Sequence, residues 1–233
     1  MAIDLQTATI VYPTSDGEPM ADNTKQFRWI VTIKGGLDTL FMDRADVFVA
    51  ADLLWYPVEG EPGLRRAADA MVVFGRPKGD RGAYMQWLED DIAPQVVFEV
   101  LSPGNTLREM SRKLAFYDMY GVDEYYLYDP DKNDLAGWVR ANNRLLPVEE
   151  IEGWASPRLN VRFTLDQQTL HIIRPDGSEF LDYIELERRR EAEHTRAERE
   201  YTRAEQERTR ADLLAERLRA LGVNPDDVLG ATS

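Results

Sequence analysis

Glu99 is the only charged residue in the apolar run Val96-Val97-Phe98-Glu99-Val100-Leu101, which is closed by Pro94-Gln95 before it and Ser102-Pro103 after it. A lone carboxylate inside a buried strand costs several kcal/mol unless it is paired, protonated or bound to a cation. Two readings follow. Either Val96, Phe98 and Val100 face the core while Glu99 lies on a half-wet face, or Glu99 is held for a purpose. Asp69 opens a second apolar segment, Ala70-Met71-Val72-Val73-Phe74-Gly75, and Lys113 lies downstream in a stretch of helical periodicity. An Asp and a Glu on neighbouring strands, with a Lys on a following helix, can hold a divalent metal and polarise a water.

The elements that must position these three side chains are legible in outline. Val96 to Leu101 has the length and β-branched content of one buried strand. The turn Ser102-Pro103-Gly104-Asn105-Thr106 leads into a helix whose stripe is Leu107, Met110, Leu114 and Tyr117, stopped by Gly121. Lys113 sits one residue off that stripe, able to reach back toward the strand. Glu124 to Asp129 reads as a further strand, so residues 96 to 129 form a βαβ unit. Upstream, Asp46 to Tyr56 reads as one strand ended by Pro57; with 69–74 and 96–101 it makes a three-strand meander. The segments 135–140, 145–148, 161–165 and 170–173 read as short strands that widen the sheet. Phe27 to Ile33 fits a helix or a strand equally well. The fold class is α/β.

The order of these segments carries a resemblance. Asp69, then Glu99 in an apolar strand ending Leu-Ser-Pro, then Lys113 in Lys-Leu-Ala-Phe-Tyr, then Tyr120-Gly121-Val122-Asp123-Glu124-Tyr125-Tyr126-Leu127-Tyr128-Asp129-Pro130, resembles the Uma family of restriction endonucleases within the PD-(D/E)XK nuclease superfamily. The resemblance covers roughly Asp46 to Asp129. Ala68 stands where the superfamily has Pro, and Leu101 where it has its lysine, so Lys113 takes the lysine's place, as the Uma pattern implies. The resemblance implies a restriction-endonuclease-like mixed sheet around the βαβ unit, and a Mg²⁺-dependent or Mn²⁺-dependent endonuclease that hydrolyses phosphodiesters in DNA. Asp69 and Glu99 are then the metal ligands, with the backbone carbonyl of Val100 as a third; oxygen donors suit these ions better than zinc. Asp52 is a candidate outer carboxylate, and Arg76, Lys78 and Arg81 in the loop after Phe74 are candidate phosphate contacts. The rival reading is a catalytically inactive protein of the same fold that acts as a binding and assembly module through its C-terminal helix.

Composition sets limits on both readings. The 233 residues carry no cysteine, which excludes disulfides and thiolate zinc sites; no eighteen-residue apolar run occurs and no N-terminal apolar run follows a basic segment. A cytoplasmic protein with no membrane segment is expected. Neither histidine-based nor glycine-loop nucleotide chemistry has support, since His171 and His194 stand alone and no phosphate-loop motif occurs. The net charge of −14 falls almost wholly on residues 1–182, because 183–222 hold ten acidic and ten basic residues. A duplex-binding core of that sign must concentrate its positive charge in one groove.

The chain divides into an arm over 1–22, expected to be loose and flexible, an endonuclease-like domain over 23–182, a charged helix over 183–222 and a tail over 223–233. The helix repeats Thr-Arg-Ala-Glu/Asp every seven residues from Thr195, the period of a left-handed coiled coil. Its seam runs through Ala197, Tyr201, Ala204, Ala211, Ala215 and Leu218, with Arg208 falling on it. Alanine buries little, so the segment is either a solvated single helix held by charge pairs or a coiled coil. In the second case residues 186–221 join a second copy or another helix.

Overall fold

The structure, a computed structural model, describes residues 10–15, 17, 19–222 and 224. Its elements in chain order are α1 (Thr24–Leu40), β1 (Val47–Ala50), β2 (Leu53–Tyr56), β3 (Arg66–Ala68), β4 (Ala70–Phe74), β5 (Tyr84–Met85), β6 (Val96–Val100), α2 (Leu107–Met119), β7 (Glu124–Asp129), β8 (Asp134–Ala141), β9 (Arg144–Pro147), β10 (Arg162–Leu165), β11 (Leu170–Ile173) and α3 (Tyr183–Ala220). Two compact units divide between Asp182 and Tyr183.

The first unit is built on a six-stranded sheet of order β1-β4-β6-β7-β8-β9, in which only β6 and β7 run parallel. That pair is the βαβ unit, with α2 as the crossover. Side chains alternate between the sheet's two faces. Val72, Val96, Phe98, Val100 and Tyr126 pack with Ile30, Ile33 and Leu37 of α1. Met71, Val73, Val97 and Tyr125 pack with Phe116 and Tyr117 of α2. Both faces are covered, so every residue of β6 is buried, Glu99 included at 2% exposure. The half-wet face does not exist.

Residues 27–33 fall in α1, capped by Asn23, whose side chain accepts from the amides of Lys25 and Gln26. At Gly36 the helix comes so close to Phe180 that a Cβ there would meet the ring at 2.1 Å. The single strand expected over 46–56 is two. Asp52 takes φ +50°, a left-handed conformation tolerated by Asp, and the chain leaves the large sheet there. Beyond it, β2 pairs with β3 and β5 in a separate three-stranded sheet. The meander therefore holds only for β1, β4 and β6. Of the later segments, β8 and β9 do widen the large sheet, whereas β10 and β11 form a separate two-stranded sheet.

The α2 stripe is displaced from its expected line. Leu107 is 86% exposed, and the inner face is Met110, Phe116 and Tyr117, with Lys113 and Leu114 half-buried beside them. The N-terminal stretch is tied down where it is described: Tyr56 Oη donates to the Pro13 carbonyl at 2.7 Å, and the Tyr12 hydroxyl accepts from the Gly60 amide at 2.6 Å. Residues 1–9, 16 and 18 lie outside the described residues, as does the tail apart from Asn224.

In the second unit α3 runs 38 residues without a buried side chain. Within it Arg196 pairs with Glu200 at 3.0 Å and Arg203 with Glu207 at 3.2 Å, both four residues apart. Gly222, at φ +77°, follows its end, where the Leu221 and Gly222 amides donate back to Arg217 and Arg219. No described helix is long and apolar enough to cross a membrane.

Candidate active site

Asp69 occupies the bend between β3 and β4, where the chain passes from the small sheet to the large one. The β4–β6 register, Ala70 against Phe98, continues to Asp69 against Glu99. Directly opposed residues of an antiparallel pair project to one face, with Cβ atoms about 4.5–5.5 Å apart. Met71 and Val97, two residues further in, share the α2 face, so Asp69 and Glu99 share it also. Where the backbone ladder ends, the Asp69 carboxylate replaces it: Oδ2 accepts from the Val100 amide at 2.6 Å. The β2–β3 register places Asp52 on the other side of the same bend, across from Asp69.

Lys113 and Tyr117 stand one helical turn apart on α2 and grip the two oxygens of Glu99. The Lys113 ammonium donates to Oε2 at 2.8 Å, and the Tyr117 hydroxyl donates to Oε1. Burial alone would lower the Lys113 pKa, but the Glu99 charge and hydrogen bond outweigh it and hold it above its ordinary value. Burial pushes the Tyr117 phenol well up, and the Glu99 charge adds to this. Asp69 is pushed up to about 8, first by burial and second by the Glu99 charge, against the Val100 amide and Lys113, which lower it. The direction follows because a second negative charge beside Glu99 has too little solvent and too little positive charge to offset it.

These groups lie at and beneath the floor of a cleft of about 930 Å³, whose walls include Asp52, Asp69, Glu109, Lys113, Arg65 and Arg66. The far wall is set by a network around the 102–105 turn. Ser102 Oγ donates to Asp22 at 2.5 Å, and its amide donates to Asn105 Oδ1 at 2.8 Å. Gln26, buried on α1, donates from Nε2 to the Val100 carbonyl at 2.8 Å and accepts from the Asp22 amide at 2.8 Å.

Of the residues singled out in the sequence, Asp69, Glu99, Lys113, Val100 and Asp52 come together here. Arg76, Lys78 and Arg81 do not. Arg76 and Arg81 both pair with Glu89, at 2.8 and 2.7 Å, Arg81 also stacks 3.9 Å over Phe48, and Lys78 donates to the carbonyls of Phe41 and Met42. They fasten their own loop and line none of the cleft. Two further residues belong to the site, Tyr117 and Gln26. Tyr117 carried a signal, being four residues after Lys113 on one helical face; Gln26 carried none.

The donor set fits a hard divalent cation in kind. Asp69 and Glu99 supply carboxylate oxygens, Asp69 Oδ1 takes no hydrogen bond among the described residues, and the Val100 carbonyl keeps one lone pair beyond its bond from Gln26. Among the described residues no group of three or more His, Cys, Asp or Glu is gathered for a metal.

The mixed sheet built around a βαβ unit defines a mixed α/β protein. The chain matches the Uma2 family, described as "Putative restriction endonuclease", over residues 18–195, and it belongs to that family. Among solved structures, a "putative nuclease belonging to DUF820" from Anabaena variabilis is similar at 14% identity, covering 61% of this chain and 77% of that one, with a TM-score of 0.45. No curated protein matches.

The raised Asp69 pKa fixes the sign of a pH dependence. The folded protein holds a proton that the unfolded chain releases near 3.8, so the contribution to stability is full below about 4 and is lost as pH rises toward about 8. Metal-free protein is expected to melt at a lower temperature at pH 8.5 than at pH 5.5, and Asp69→Asn to flatten that difference. Melting curves of both proteins in EDTA check it; an unchanged slope in Asp69→Asn contradicts it.

Proposed function

We propose that this protein is a Mg²⁺- or Mn²⁺-dependent endonuclease that hydrolyses phosphodiester bonds in DNA. The observation that carries the reading is the register that brings Asp69 against Glu99 on one sheet face, with Lys113 on Glu99. Asp69, Glu99 and the Val100 carbonyl would hold the cation, with Asp52 as the outer carboxylate. When bound, it supplies a water of lowered pKa and charge against the phosphate. Lys113 keeps a positive charge at the cleft surface, where it orients the attacking water and meets the charge that develops on the phosphate oxygens. Tyr117 holds Glu99 in place and Gln26 holds the Val100 carbonyl. The new bond from water oxygen to phosphorus forms as the bond to the leaving oxygen breaks, and that oxygen takes up a proton. Plasmid cleavage with Mg²⁺, Mn²⁺ or EDTA tests this reading. Cleavage is expected only with metal, and Asp69→Asn, Glu99→Gln and Lys113→Met are each expected to lose on the order of 100-fold or more. Cleavage in EDTA, or full activity in Asp69→Asn, contradicts it; no cleavage by the wild type under any condition favours the binding-module rival.

For α3 we propose a coiled-coil role with another helix as partner. In the seven-residue repeat the seam is flanked by Glu191, Glu198, Glu205 and Asp212 on one side and by Glu193, Glu200 and Glu207 on the other. Two copies, parallel or antiparallel, would set carboxylates against carboxylates, whereas a helix with basic flanks meets both rows. The expected result of light scattering on the full chain at tens of micromolar is the mass of one chain. A dimer that Ala204→Glu/Ala211→Glu dissolves would establish self-pairing instead.

A further inference from the structure

The acidic balance of the first unit poses a physical problem for any substrate that is itself a polyanion, and the distribution of its cations points to a solution. Residues 1–182 contain eighteen Lys and Arg. Ten of them are spent in ion pairs with carboxylates, as where Arg140 and Arg144 share Asp118 or Arg158 holds Asp123. Of the eight with no ion pair among the described residues, Lys78 is held by the carbonyls of Phe41 and Met42, and Arg174 by the Glu179 carbonyl and Ser178 Oγ. The other six are arginines, and four of these lie on β3 with the residue before it and on the outer surface of α2.

Arg65 and Arg66 line the cleft itself. Each spends one N–H locally, Arg65 on the Pro62 carbonyl at 2.7 Å and Arg66 on the Arg65 carbonyl at 2.8 Å. A guanidinium has five N–H donors in a planar fork, the geometry that takes two phosphate oxygens at once. The Arg66 guanidinium also lies 5.4 Å over the Phe116 ring. Phe116 is one helical turn beyond Arg112, and Arg112 one turn beyond Arg108, both exposed on α2. Arg112 immediately precedes Lys113, which lines the cleft. The arginines with no ion pair among the described residues thus run from the cleft wall across Phe116 onto the α2 surface.

We propose that the DNA backbone reaches the cleft along this track, with Arg65 and Arg66 as the phosphate clamp and Arg112 and Arg108 leading up to it. This rests on the nuclease reading and assigns its substrate-binding surface. A cation held by Asp69 and Glu99 offsets charge only close by, while the field of the domain repels a duplex. Approach from the arginine side is the direction in which that repulsion is locally reversed, and it ends at Lys113.

Fluorescence anisotropy of a labelled duplex with the full-length protein in EDTA, across a range of NaCl, tests the track. Arg65→Gln/Arg66→Gln is expected to weaken binding about tenfold or more and to lower the slope of log affinity on log salt by about 1.8, two phosphate contacts at about 0.9 each. Arg65→Lys/Arg66→Lys keeps the charge and is expected to keep most of that slope, which separates a lost contact from a lost fold. Arg28→Gln/Arg162→Gln, with the same charge change, is expected to bind as the wild type does. Wild-type affinity and slope in the glutamine double variant overturn the track while leaving a cleaving enzyme a nuclease. Loss of binding in that variant, from a protein that cleaves no plasmid, upholds the track and overturns the nuclease reading. A wild type that binds no duplex at low salt overturns the track outright.

Discussion

The ion pair between Glu99 and Lys113 is the constraint on which the site depends. Glu99 stands in the middle strand of a sheet covered on both faces, at 2% exposure, where an uncompensated carboxylate would cost several kcal/mol. Lys113 and Tyr117 supply its compensation, one donor to each oxygen, and both come from α2. The crossover helix is thus locked to the strand it follows by polar contacts as well as by Phe116 and Tyr117 in the apolar core. Glu99 is already satisfied, so Asp69 beside it is the group whose ionisation burial and the Glu99 charge oppose.

Asp69 reaches that position because of the two-sheet construction. The large sheet supplies β4 and β6 in register. The chain leaves that sheet at Asp52 and rejoins it at Asp69, and those two bends lie side by side. A continuous strand through 46–56 would have paired onward without a break and left no cleft. The left-handed backbone at Asp52 creates the opening that β2 and β3 wall on one side and the 102–105 turn on the other.

Much of this was legible in the sequence because its signals are local. The apolar run around Glu99, the spacing from Asp69 to Lys113 and the βαβ order are properties of short segments. What escaped depended on the third dimension. The break at Asp52 is one residue's φ inside an otherwise good strand pattern. Leu107 fits the helical stripe, yet it is exposed, while Lys113, one residue off the stripe, is half-buried against Glu99. Gln26, 73 residues before Glu99, meets Val100 only after α1 docks on the sheet. The basic loop of Arg76, Lys78 and Arg81 looks more like a phosphate site than Arg65 and Arg66 do, and only the positions of Glu89 and the cleft separate them. Composition placed the acidic excess correctly in residues 1–182 but carried no information about which cations are already neutralised.

The central proposal is that a divalent cation held jointly by Asp69 and Glu99 would take the place of a proton on Asp69. Calorimetric titration of the wild-type protein with Mn²⁺ at pH 6 and pH 8, in buffers of differing ionisation heat, tests it most directly. The account predicts release of close to one proton per ion at pH 6 and an affinity rising on the order of tenfold per pH unit below the Asp69 pKa. It also predicts that Asp69→Asn removes both the binding and the proton release. Equal affinity at the two pH values with no proton released, or undiminished binding by Asp69→Asn, would contradict it.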